Sequence, residues 1–171
     1  MGDTLMTVIV IGITVVLMFV IPLMTMADKV DNVAQLTIQA ETAEFVDTIR
    51  TTGKITPEEY NKYMQTITAS TGNTYDVHFE AKILDDNESK KAVQVNRDKI
   101  GENYYYGVFD SQIKEKIDNN IMYQLKEGDI IKVWAVITSP TLAQQLKNSL
   151  YSVVGNDTYL VVAQATGTVT K

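Results

Sequence analysis

The chain has 171 residues, enough for one domain of ordinary size plus an appendage. A formal charge of −6 argues against a nucleic-acid binder, which needs clustered Lys and Arg, and against adhesion to anionic lipid through basic side chains. There is no cysteine, which excludes disulfides, thiolate metal sites and cysteine nucleophiles.

Charge is unevenly spread. Asp3 is the only charged side chain before Asp28, and Leu5 to Met26 is an uncharged run of just over twenty residues. A bilayer core of about 30 Å needs roughly 20 helical residues. Thirteen residues from Leu5 to Leu23 are Leu, Ile, Val or Phe. On the insertion scale they contribute roughly −4 to −8 kcal/mol, more than Thr7, Thr14 and Gly12 offset. The sequence therefore predicts a retained single-pass anchor over residues 1–27. The competing reading is a secretory signal cleaved at Thr25-Met26-Ala27. Against that reading, the apolar run exceeds the usual signal core and no Lys or Arg precedes it. The signal-anchor reading puts the C-terminal part outside the cytoplasm.

The helical pattern continues past the anchor. From Asp28 to Thr52 there is no Gly or Pro, and Val30, Ala34, Ile38, Phe45 and Ile49 fall four or seven residues apart, forming one expected apolar stripe. Arg50 in the last turn and Gly53 just past it mark the end. The expectation is one helix of about 45 residues. Its first half is apolar throughout, residues 28–53 are amphipathic, and Pro22 kinks or locally unwinds it.

Residues 54–171 read as a globular domain. Thr56-Pro57-Glu58-Glu59 is a helix start with a capping box, followed by Tyr60, Tyr63, Met64 and Ile67 at helical spacing. Tyr75 to Ile83 alternates apolar and polar residues, the cleanest strand in the chain. Asp85 to Glu88 turns it toward a second strand around Ala92 to Val95. Arg97 to Phe109 reads as irregular. A helix capped by Asp110 follows, with Ile113, Ile117 and Ile121 inward. Ile130 to Thr138 is β-rich on both faces, as an interior strand would be. A helix from Ser139-Pro140 places Leu142, Leu146, Leu150 and Val153 inward, and Thr158 to Val169 is the last strand. The fold class is α+β or α/β, with helices on a sheet of about four strands.

Catalytic chemistry finds few residues. His78, the single histidine, shares the polar strand face with Asp76, Glu80 and Lys82 and reads as solvated. The Asp85 to Glu88 run lacks calcium-loop spacing, and no glycine-rich phosphate loop occurs. No cofactor, metal, nucleic acid or small-molecule substrate is expected, and the chain is not expected to be an enzyme. Tyr104, Tyr105 and Tyr106 form a possible interaction surface.

Leu5-Met6-Thr7-Val8-Ile9-Val10-Ile11-Gly12, followed by Ile21-Pro22, resembles the N-terminal helix of type IV pilins and pseudopilins over roughly residues 1 to 52. The resemblance implies a long first helix packed on a domain that carries a sheet. It further implies self-association into a filament, or joining other pilus or secretion components, through helix packing. Pilins carry a glutamate near the mature N-terminus, and Asp3 is the acid in that neighbourhood. The distal order of elements looks closest to minor pilins of the Tad type. Expected helix-packing residues are Asp3, Thr7, Gly12, Thr14 and Pro22. The expected location is the membrane, with an extracytoplasmic C-terminal domain, or an extracellular filament. The alternative is a membrane-tethered accessory domain of a conjugation or secretion apparatus that never polymerises.

Overall fold

The computed structural model describes residues 2–85, 105–139 and 162–171. The second strand expected around Ala92 to Val95 and the helix expected after Ser139-Pro140 lie outside these residues.

One helix, α1 (Gly2–Thr52), runs unbroken for 51 residues, about 76 Å at 1.5 Å per residue. Pro22 lies inside it. The expected unwinding at Pro22 is not found: proline removes one N–H from the ladder, and the turns on either side hold their helical form. Gly53 ends the helix in the left-handed region at φ 69°, with its N–H donating to Ile49 O at 2.8 Å.

After a two-residue strand β1 (Lys54–Ile55), helix α2 (Pro57–Thr71) starts on the expected signal. The Glu59 N–H donates to Thr56 Oγ1, and Gly72 closes the helix in the left-handed region. Strand β2 (Thr74–Leu84) alternates buried and more open positions throughout, as the sequence predicts. Next come β3 (Tyr105–Phe109), α3 (Asp110–Asp118), β4 (Tyr123–Gln124), β5 (Ile130–Ser139) and β6 (Val162–Thr168). The main sheet has four antiparallel strands in the order β3-β2-β5-β6, and β1 pairs with β4 in a separate two-stranded ladder. The fold is α+β.

Three expectations need correction. Tyr105 to Phe109 is a strand rather than irregular chain, in register with Glu80 to Leu84. Its Tyr, Val and Phe content suits an edge strand, but the partner that fixes it lies more than twenty residues away in sequence. Ile121 lies beyond the end of α3 and is exposed, while Ile113 and Ile117 are buried. Val30 is exposed as well: the buried stripe of α1 runs through Ala27, Asp31, Ala34, Ile38, Thr42, Phe45 and Ile49.

That stripe holds α1 to the domain. Phe45 stacks on Tyr63 of α2 with ring centroids 4.6 Å apart, and meets Phe79 of β2 edge-on. Beside them Thr42 Oγ1 donates to Ile38 O, which leaves it to accept from the Tyr63 hydroxyl at 2.8 Å. Burial pushes the Tyr63 phenol up to about 12, against the opposing pull of its bond to Thr42. The sign of the pH effect follows. A raised acid pKa means the neutral phenol's contribution is complete below the ordinary value of 10.0 and is lost as pH climbs toward about 12. In an alkaline titration followed at 295 nm, one tyrosine should ionise late, together with loss of tertiary structure. Tyr63→Phe should remove that late step. Ionisation of all nine tyrosines in one step near the ordinary value would contradict this packing.

Candidate functional site

The part of α1 that precedes the stripe has no buried residue among those described. From Leu5 to Leu23 the large apolar side chains are exposed, Val20 alone being half-buried, and the most apolar window of the helix has no buried residue. By length and composition this helix suffices to cross a membrane.

The polar groups along the apolar half are satisfied within the helix. Thr7 donates its hydroxyl to Asp3 O at 2.7 Å, Thr14 to Val10 O at 2.8 Å and Thr25 to Ile21 O at 3.0 Å. Each threonine therefore presents its methyl outward and brings no unmet donor into an apolar environment. At Gly12 an added Cβ would meet nothing within 4 Å, so the missing side chain leaves open space along the helix surface. Asp3 lies in the first turn, where the helix dipole favours a negative charge. Asp3, Thr7, Gly12, Thr14 and Pro22 thus all lie on one projecting rod, and nothing in the described fold covers them.

The tyrosine run is divided. Tyr104 lies outside the described residues. Tyr105 is half-buried and Tyr106 half-exposed, and strand alternation sends them to opposite faces of β3. The neighbouring Phe109, 71% exposed, is the most open aromatic of the strand.

His78 is not simply solvated. Its Nδ1 is 2.8 Å from Asp110 Oδ2 and its Nε2 3.4 Å from Asp76 Oδ2. Its ring lies on Trp134 of β5, and Lys114 Nζ is 3.0 Å from both carboxylates. Burial by itself would raise the Asp110 carboxyl, but hydrogen bonds from His78, Lys114 and the Phe79 N–H hold it below its ordinary value. For Lys114, burial lowers and the bonds to Asp76 and Asp110 raise, and the raising effect wins. The geometry is that of a strand end. β3 stops pairing at Phe109, and Asp110 takes the next free amide of β2, that of Phe79. The sequence reading cast Asp110 as the helix cap. Phe109 holds that position instead, because the Asp110 carboxylate is turned back onto β2. His78 Nε2 faces the Asp76 carboxylate, and among the described residues no hydroxyl nucleophile is placed against it. Among the described residues no group of three or more His, Asp or Glu is arranged to hold a metal ion.

Two side chains of α1, Gln39 and Arg50, tie the helix to β6, and neither tie is expected from the sequence. Gln39 lies off the buried stripe and reads as a surface residue, yet its amide pairs with one peptide of β6. Its Nε2 donates to Gln164 O at 2.7 Å, and Gln164 N donates to its Oε1 at 3.3 Å. This pairing acts as a one-residue substitute strand on the sheet edge. Arg50 Nε donates to Thr168 O at 3.0 Å, and the Thr170 N–H donates to Arg50 O. An added Cβ at Gly167 would collide with the Arg50 stem, so glycine there lets the arginine lie flat.

No family model, curated protein or solved structure matches this chain.

Proposed function

We propose that this protein is a membrane-anchored structural subunit of a pilin-like surface filament or secretion system, assembling through the apolar half of α1. The single observation that carries the reading is that no residue of that half's apolar window is buried, on a helix whose other half packs into a folded domain. Leaving that much apolar surface in water is untenable, so lipid or sister helices cover it. The internally satisfied threonines and the open surface at Gly12 suit either surrounding. In a bundle of such helices the Asp3 carboxylate neutralises a neighbour's α-amine. The distal domain lies on the extracytoplasmic side and carries no chemistry of its own.

Sheared surface fractions from the source cell should contain the protein in high-mass filaments. Asp3→Ala should abolish those filaments while leaving the chain membrane-inserted. Finding only membrane-bound monomer in the wild-type cell would favour a tethered accessory domain. Finding the intact chain freely soluble and monomeric would defeat both.

A further inference from the structure

Among the described residues β6 is the last strand of the main sheet, so one of its edges has no strand beside it. Edge strands are ordinarily kept from pairing with other chains by a charge or a proline on the strand itself. Val162–Thr168 reads VAQATGT and has neither. Its antiparallel register with β5 fixes what the edge offers. Ala163, Ala165 and Gly167 turn their peptide groups inward to β5, while Gln164, Thr166 and Thr168 turn theirs outward.

α1 occupies the first and last of these three outward rungs. Gln39 takes both the N–H and the C=O of Gln164, and Arg50 Nε takes the C=O of Thr168. Between them, the Thr166 peptide bonds to none of the described residues. The bulk of α1 does not close the edge at that point. Ala43, Val46 and Asp47 stand off Ala165 and Thr166 across an open groove of about 420 Å³. An added strand must pair over successive outward rungs. A single open rung offers one donor and one acceptor, too few bonds to offset the lost freedom of a second chain.

We propose that Gln39 and Arg50 act as a guard, holding the β6 edge closed to the same strand of a second copy of this chain. An antiparallel pair centred on Thr166 would set Gln164 of each copy against Thr168 of the other, so the unguarded edge is complementary to itself. Gln39 meets Gln164 and Arg50 meets Thr168, so α1 and β6 run in the same direction. Copies joined through β6 would therefore point their apolar helix halves opposite ways. One membrane, or one parallel bundle, cannot hold such a pair. The guard keeps each copy competent to assemble, a consequence that rests on the function proposed above, whereas the closed edge itself does not.

The absence of cysteine makes the test direct. Full-length chains carrying the exposed-edge reporter T166C are oxidised with copper-phenanthroline in detergent. T166C alone should stay monomeric, and Q39L/R50M/T166C should give disulfide-linked homodimers several-fold more strongly. Arg50→Met keeps an unbranched stem over Gly167 and removes the donor. By light scattering, Q39L/R50M should form dimers or larger species, and adding Thr166→Pro should return it to the wild-type mass. The Thr166 N–H points outward, so proline there breaks no bond to β5. Cross-linking of T166C as strong as that of Q39L/R50M/T166C overturns the guard. So does the absence of any gain in a variant whose circular dichroism matches the wild type. Hydrogen exchange in the unsubstituted chain decides the matter even where the variant does not fold. The Gln164 N–H should exchange roughly tenfold more slowly than the Thr166 N–H, and equal rates overturn the guard. A guarded edge in a chain that the membrane does not retain would uphold the guard and defeat the function proposed above.

Discussion

A chain carrying Ile13→Lys with Val16→Lys leaves the membrane fraction while its distal domain stays folded. The magnitude comes from insertion energies. Each lysine near the helix centre costs about 2.5–3.5 kcal/mol, and each lost Ile or Val forfeits about 0.3–0.6. The pair therefore costs about 6–8 kcal/mol, which matches or exceeds the roughly 4–8 kcal/mol that the thirteen large apolar residues supply. Both side chains are exposed and make no contact within the described fold, so the domain's thermal unfolding should be unchanged. The measurement is partition after alkaline carbonate extraction, with a melting curve on the released protein. A double variant that stays in the pellet would show that the apolar helix is not what retains the chain. A variant that is released but unfolded would show that the rod is part of the core.

What was legible in the sequence was the local physics. The long apolar N-terminal helix, the stop at Gly53, the capped start at Thr56-Pro57 and the alternation of β2 each rest on residues within one or two turns of one another, and each is found. What was not legible depended on distant partners. Tyr105 to Phe109 looks irregular until β2 supplies a ladder. The stripe of α1 was read one position off at its start: Val30 lies four residues before Ala34, yet Asp31 and Ala27 are the residues turned to the domain. A buried aspartate violates the apolar pattern on which such a reading depends. Asp110, Gln39 and Asp129 carry no signal of their own, because each is a polar side chain whose partner is a backbone group elsewhere in the fold. The apolar rod is legible for the same reason the local elements are. Its apolar run is continuous in the chain, so no contact with a distant residue had to be guessed.

The corner beside the C-terminal end of α1 should depend on Asp129. This side chain is almost fully buried, and its two oxygens accept the Leu84 N–H at 2.8 Å and the Lys126 N–H at 2.7 Å. Its backbone joins the same corner: the Val169 N–H donates to Asp129 O, and the Gly128 N–H donates to Val169 O. One residue further, Thr170 bonds to Arg50 at the end of α1, and Leu125 bonds to Gly53 just beyond it. Asp129 therefore ties the end of β2, the start of β5 and the tail of β6 beside the C-terminal end of α1. Asp129→Ala leaves two amides without an acceptor at a site largely closed to water, a loss of about 3 kcal/mol and roughly 10 °C in melting temperature. Asp129→Asn should lose at least half as much, since its NH2 group opposes one of the two donors. Glu127→Ala, an exposed neighbour, should stay within about 0.5 kcal/mol. If Asp129→Ala melts with the wild type, the corner is held by its backbone bonds alone. If it destabilises as expected, membrane retention should be unchanged, because the apolar half of α1 lies at the other end of that helix.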